Sequence, residues 1–148
     1  MYDRILTAVD LTPNENAVLR HTQELARLAG ATVHLLHVAR THIIPGDIVA
    51  GAGLGVVSGE DDIDPRDRDM IDDAVAQLAA AGVDATGEVL YASEHDTAAA
   101  IVEHAKNLDV DLVVLGETLH RGMTRFFRAS IVDGVVHRHP AFPILLVP

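Results

Sequence analysis

Five short apolar runs set the limits on what this chain can fold into. They are "ILTAV" (5–9), "ATVHLLHVA" (31–39), "VDATGEVLYA" (83–92, most strand-like at Val89, Leu90 and Tyr91), "VDLVVLG" (110–116) and "PILLV" (143–147). Each has strand length. "ILTAV" is mostly apolar and "VDLVVLG" is a nearly continuous apolar run, which is what a parallel strand buried on both faces requires. Segments with helical spacing lie between them. The alternation β-α-β-α-β-α-β-α-β predicts an α/β domain over residues 1–148, a doubly wound, five-stranded parallel sheet with helices on both faces. With five strands and right-handed crossovers, 3-2-1-4-5 is the expected strand order.

The helices are read from their caps. In "LTPNENAVLRHTQELARLAG" Thr12 is a suitable N-cap, Pro13 fits the first helical position and Glu15 completes a capping box. Ala17, Val18, Leu25, Leu28 and Ala29 recur at helical spacing, and Gly30 closes the helix. Pro65 opens a second helix with an acidic first turn, and Gly82 ends it. "SEHDTAAAIVEHAKNLD" is a third, capped by Ser93 with Asp96 at its third position. "SIVDGVVHRH" is a fourth, opened by Ser130 and weakened by about 1 kcal/mol at Gly134. Residues 39–64 are too long for an ordinary connection and read as a lid, a partner contact or disorder. Gly51, Gly53 and Gly55 do not stand between a strand end and a helix start, so flexibility explains them better than a phosphate loop.

Charge narrows the function. A net charge of −11 argues against general nucleic-acid binding, which needs a basic face to displace counterions. The exception to the acidity is residues 116–139, where Arg121, Arg125, Arg128 and Arg138 face only Glu117 and Asp133. With no cysteine there is no disulfide and no thiolate metal site, which suits a reducing cytosol. No secretory signal and no run long enough to span a membrane is visible, so a cytoplasmic location is expected.

In an open parallel sheet, ligands bind beyond the carboxyl ends of the strands where the strand order reverses. With order 3-2-1-4-5 that point lies between the first and fourth strands. Asp10 ends the first and Gly116 the fourth, while Val38, at the end of the second, forms a side wall. After Gly116 a basic loop leads to Ser130. A strand, a glycine and a helix start form a common backbone cradle for an anion, here with the Ser130 hydroxyl and the amides of Ser130 and Ile131.

With these residues placed, the whole chain resembles the universal stress protein family. "ILTAVD", "ELARLAGATVHLLHV", "DLVVLG" and "HPAFPILLVP" carry the likeness. The resemblance implies the same five-stranded fold, a homodimer joined through the last strand and, in one branch, ATP binding with or without Mg2+. That branch has a glycine, two residues, a glycine, nine residues, a glycine and then serine or threonine. Gly116 and Ser130 match the two ends at the right spacing, but Leu119 and Ala129 replace the second and third glycines. Gly122 matches a glycine often found inside the loop. The resemblance places ribose at Asp10, the base at the Val38 backbone and phosphates at Gly116, Ser130 and Ile131. Leu119 opposes close approach of phosphate to the backbone, and Arg121 and Arg125 are candidates to supply the missing attraction.

The expectation is therefore a stress-response regulatory protein that binds an adenine nucleotide and acts as a dimer. The alternatives are a dimeric interaction module without nucleotide, meeting an unidentified protein partner, and an α/β hydrolase of a nucleotide. No catalytic set is evident: "SEHD" (93–96) is not a triad by adjacency, and there is no nucleophile elbow. Glu117, His120, His137 and His139 show no pair of ligands at i and i+4 on one helix with a third partner, so no metal site is expected there. His34 and His37 are read as structural strand residues.

Overall fold

The computed structural model describes residues 1–10, 15–40, 64–93, 96–116, 125–138 and 140–148. In chain order the elements are β1 (Arg4–Val9), α1 (Glu15–Ala29), β2 (Thr32–Arg40), α2 (Pro65–Ala80), β3 (Ala85–Ala92), α3 (Thr97–Asn107), β4 (Leu112–Gly116), α4 (Arg125–His137) and β5 (Ile144–Val147). The five strands form one sheet in the order β3-β2-β1-β4-β5, all pairings parallel. Fold class, strand order and parallel pairing are those expected from the sequence.

The apolar runs are continuous because each strand feeds two cores. Ile5, Val33, Leu35, Leu112 and Val114 point to one face, where Val18, Leu19 and Ala26 of α1 and Ile71, Ala74 and Leu78 of α2 cover them. Leu6, Leu36, Val113 and Leu115 point to the other, beneath Ala98, Ile101, Val102 and Ala105 of α3 and Val135 of α4. Truncating a fully buried residue such as Leu78 to alanine costs about 2–5 kcal/mol in sites of this kind.

Two glycines set how closely helices approach their neighbours. A Cβ on Gly87 of β3 would lie 2.5 Å from Ile71 Cγ2 and 2.9 Å from Val75 Cγ2, so its bareness lets α2 lie on the sheet. A Cβ on Gly134 would lie 2.7 Å from the Ala98 Cβ. The residue that weakens α4 as an isolated helix is thus the one that lets α4 close on α3.

The helix boundaries hold and fail for definable reasons. Pro65 opens α2, with Asp64 as N-cap accepting from the Arg66 N–H at 2.9 Å. Gly30 and Gly82 end α1 and α2 at positive φ, as read. Thr12 and Pro13 lie outside the described residues, and α1 as described starts at Glu15. The third helix starts at Thr97, not Ser93. The Ser93 hydroxyl donates to the Asp96 carboxylate at 2.5 Å instead of capping an amide, and the Ser93 carbonyl takes the Asp96 N–H at 3.0 Å in a turn. The fourth helix starts at Arg125, five residues before Ser130. Nothing in "RFFRA" is a glycine or proline to stop it, so Ser130 is an interior residue and not the N-cap expected above. Of the long 39–64 connection, Ala39 and Arg40 complete β2 and Asp64 caps α2, while 41–63, with Gly51, Gly53 and Gly55, lie outside the described residues.

Candidate functional site

The strand order reverses between β1 and β4, where Ala8 pairs with Leu115. Asp10, just past the end of β1 and exposed, and Gly116, the last residue of β4, therefore stand at neighbouring strand ends. The strand-order reversal expected from the sequence is present in the backbone. β1 pairs with β2 only as far as Val9 opposite His37. From Val38 onward the β1-facing edge of β2 has no ladder partner among the described residues, while its other edge pairs with β3 at Leu90. The Val38 reading uses the backbone groups of that edge. The Val38 side chain packs into the core beneath α3 and α4.

Gly116 also has a packing reason that sequence could not show. A Cβ there would approach Val18 Cγ2 of α1 to 2.9 Å. His37 closes the rim. Its Nδ1 is 2.9 Å from the Val9 carbonyl, to which it donates, and its Nε2 is 3.8 Å from Asp67 Oδ1 of α2.

The phosphate end is less fully drawn. Leu119, Arg121 and Gly122 lie outside the described residues. Arg125, Ala129, Ser130 and Ile131 all belong to α4. The amides left free by a helix are those of its first turn, so Ser130 and Ile131 lie beyond the free amides, contrary to the cradle drawn from sequence. The Ile131 side chain is half-buried against the core shared with α3.

A second group of polar side chains, read as unremarkable in sequence, comes together elsewhere. His34 of β2, Glu88 of β3 and His104 of α3 converge on the face covered by α3 and α4. His34 Nε2 and His104 Nε2 are 3.2 Å apart, and Glu88 Oε2 lies 3.1 Å from His104 Nε2 and 3.7 Å from His34 Nε2. His34 Nδ1 is 2.8 Å from the Thr86 hydroxyl. The imidazole of His34 is held below its ordinary pKa, first by burial and then by His104, with Glu88 pulling the other way. His34 and His37 thus face opposite sides of the sheet. The signal in sequence was slight: His34 shares the parity of Leu36, which points into the core beneath α3, and His104 falls between Ile101 and Ala105. His137, weighed earlier as a metal ligand, has its Nδ1 2.8 Å from the Asp133 carbonyl, and Glu117, His120 and His139 lie outside the described residues.

The fold is that of a doubly wound α/β protein whose strand order reverses between β1 and β4, the place where such sheets commonly bind ligands. The model of the universal stress protein family matches residues 1–148, and the chain belongs to that family. No curated protein sequence matches it. Among solved structures, a universal stress family protein from Burkholderia pseudomallei is similar at 23% identity and TM-score 0.68, over 99% of this chain and 96% of that one. The universal stress protein from Archaeoglobus fulgidus in complex with dAMP is similar at 23% identity and TM-score 0.69, over 99% and 98%. A universal stress protein in complex with cAMP is similar at 18% identity and TM-score 0.67, over 99% and 97%. No helix among the described residues is long and apolar enough to cross a membrane.

Proposed function

We propose that this protein is a regulatory adenine-nucleotide-binding member of its family, taking ATP, with or without Mg2+, in the crevice between β1 and β4. The observation that carries this is the placement of Asp10, Val38 and Gly116 at the strand ends around one strand-order reversal. Nucleotide-bound relatives of the same fold support it. Asp10 holds the ribose hydroxyls and the Val38 backbone reads the base. Gly116, Arg121, Gly122, Arg125 and Ser130 surround the phosphates, with Leu119 and Ala129 reducing the affinity. Ile131 supports this end by docking α4 and not through its amide. Hydrolysis is incidental, and the protein works in the cytoplasm.

The same reading includes a homodimer through β5. Among the described residues that strand is a sheet edge, paired with β4 alone, and Leu145 and Leu146 are 37% and 40% exposed on it. An apolar edge is an invitation to pair, whereas the opposite edge strand, β3, carries the charged Glu88. Leu145→Glu is expected to shift sedimentation from dimer to monomer, and a persisting dimer would move the interface elsewhere. Calorimetry with ATP, with and without magnesium, tests the nucleotide. Absence of heat at millimolar ATP in folded protein leaves the interaction module as the function.

A further inference from the structure

We propose that His34, Glu88 and His104 form a zinc site on the α3 face of the sheet, with a fourth position filled by water. The argument starts from distances. Zinc bonds to nitrogen or oxygen are about 2.0–2.1 Å long, which puts any two tetrahedral ligand atoms about 3.3–3.4 Å apart. The three donor atoms here are separated by 3.1, 3.2 and 3.7 Å. Little motion is needed for one ion to bond all three. Among the described residues this is the one group of three such donors close enough to share an ion.

The surroundings favour a ligand set over an incidental cluster. Two imidazole nitrogens this close share a hydrogen bond only if one of them carries a proton. Zinc removes that requirement: both Nε2 atoms turn lone pairs to the metal, and the proton between them passes to the far nitrogen of its own ring. For His34 the remaining N–H then sits on Nδ1, where Thr86 Oγ1 at 2.8 Å accepts it. A partner on the far nitrogen is the usual way a protein fixes the tautomer and orientation of a ligating histidine. The histidine side chains are 18% and 14% exposed and the Glu88 side chain 45%, so the donors are shielded yet an ion can arrive past the carboxylate. Two imidazoles and a carboxylate suit zinc better than the hard ions magnesium and calcium, which take oxygen ligands. The donors come from β2, β3 and α3, away from the β1/β4 crevice.

The test titrates Zn2+ into chelator-stripped full-length protein against a chromophoric chelator, with Co2+ absorption as a second readout. One equivalent is expected to bind, with visible tetrahedral d–d bands for Co2+. His104→Ala should weaken Zn2+ by more than the ~10–100-fold typical of losing an outer partner, and Thr86→Val by about 10-fold. His21→Gln, at an exposed histidine on α1, should bind as the parent does. If His104→Ala does not fold, Glu88→Gln, at a half-exposed position, carries the comparison and should lose most of the affinity. Failure of the parent to take Zn2+, or binding unchanged in both His104→Ala and Glu88→Gln, overturns the site. The cluster is then only a hydrogen-bonded group, and any zinc taken up rests on other histidines.

Discussion

At the carboxyl ends of the strands, Asp10 and Gly116 meet because β1 and β4 are neighbours. Nearer the amino ends, His34, Glu88 and His104 meet because a helix is laid across two strands. The first arrangement is made by backbone topology and survives changes in most side chains. The second is made by side chains, and one residue's shift in the seating of α3 would scatter it. The crevice should therefore tolerate local repacking that the histidine cluster does not, and the two should be independently removable.

The largest effects test that independence. Asp10→Ala is expected to lower ATP affinity by about 10-fold or more, since a hydrogen bond to a charged group is worth roughly 1.5–3 kcal/mol. Zn2+ affinity should not change. His104→Ala should do the reverse, losing zinc and keeping ATP, both read by calorimetry. Loss of both ligands in either variant would merge the two regions into one unit.

Next comes a change that touches the helix pair. Gly134→Val puts a side chain where only 2.7 Å separates a Cβ from the Ala98 Cβ, and overpacking of this kind costs about 1–3 kcal/mol. The urea midpoint should fall. Zn2+ affinity should fall with it if α3 is displaced, while Asp10 and Gly116 stay in register.

A smaller effect is expected at the phosphate end. Leu119→Gly should tighten ATP several-fold by removing a side chain from the phosphate approach. Ala129→Gly is the poorer test, because Ala129 lies inside α4 and glycine there costs about 1 kcal/mol of helix stability. Unchanged ATP affinity in Leu119→Gly would mean the loop does not meet phosphate.

The smallest effect is a pH dependence of the chelator-treated protein. The folded pKa of His34 lies below the ordinary value of 6.5, so at mildly acid pH the unfolded chain binds more protons than the folded one. Stability is complete above pH 6.5 and declines as pH falls from there through the folded pKa. Glu88 of β3 and His104 of α3 face the ring, and Thr86 holds its far nitrogen. Denaturation curves across this range should show the decline in the parent and less of it in His34→Gln. An equal decline in both would assign it to other groups.

How far each region could be read from sequence follows the same division. Asp10 and Gly116 are legible because a parallel strand ends where its apolar run ends, and the order 3-2-1-4-5 puts those two ends side by side. Ser130 was misplaced because serine signals a cap yet is tolerated inside a helix, and the five residues before it carry no stop. The packing partners of Gly116 and Gly134 were invisible, since Val18 and Ala98 are brought to them only by helix seating.

By itself the sequence determined the sheet, its order, the place of the strand-order reversal and the family, because burial of an apolar strand on two faces is a local pattern with few topological solutions. Only the tertiary structure decided where α4 begins, why Gly134 is bare, and that two histidines 70 residues apart face one glutamate. These depend on how a helix seats on a sheet, which is a sum of many side-chain contacts with no short-range signature.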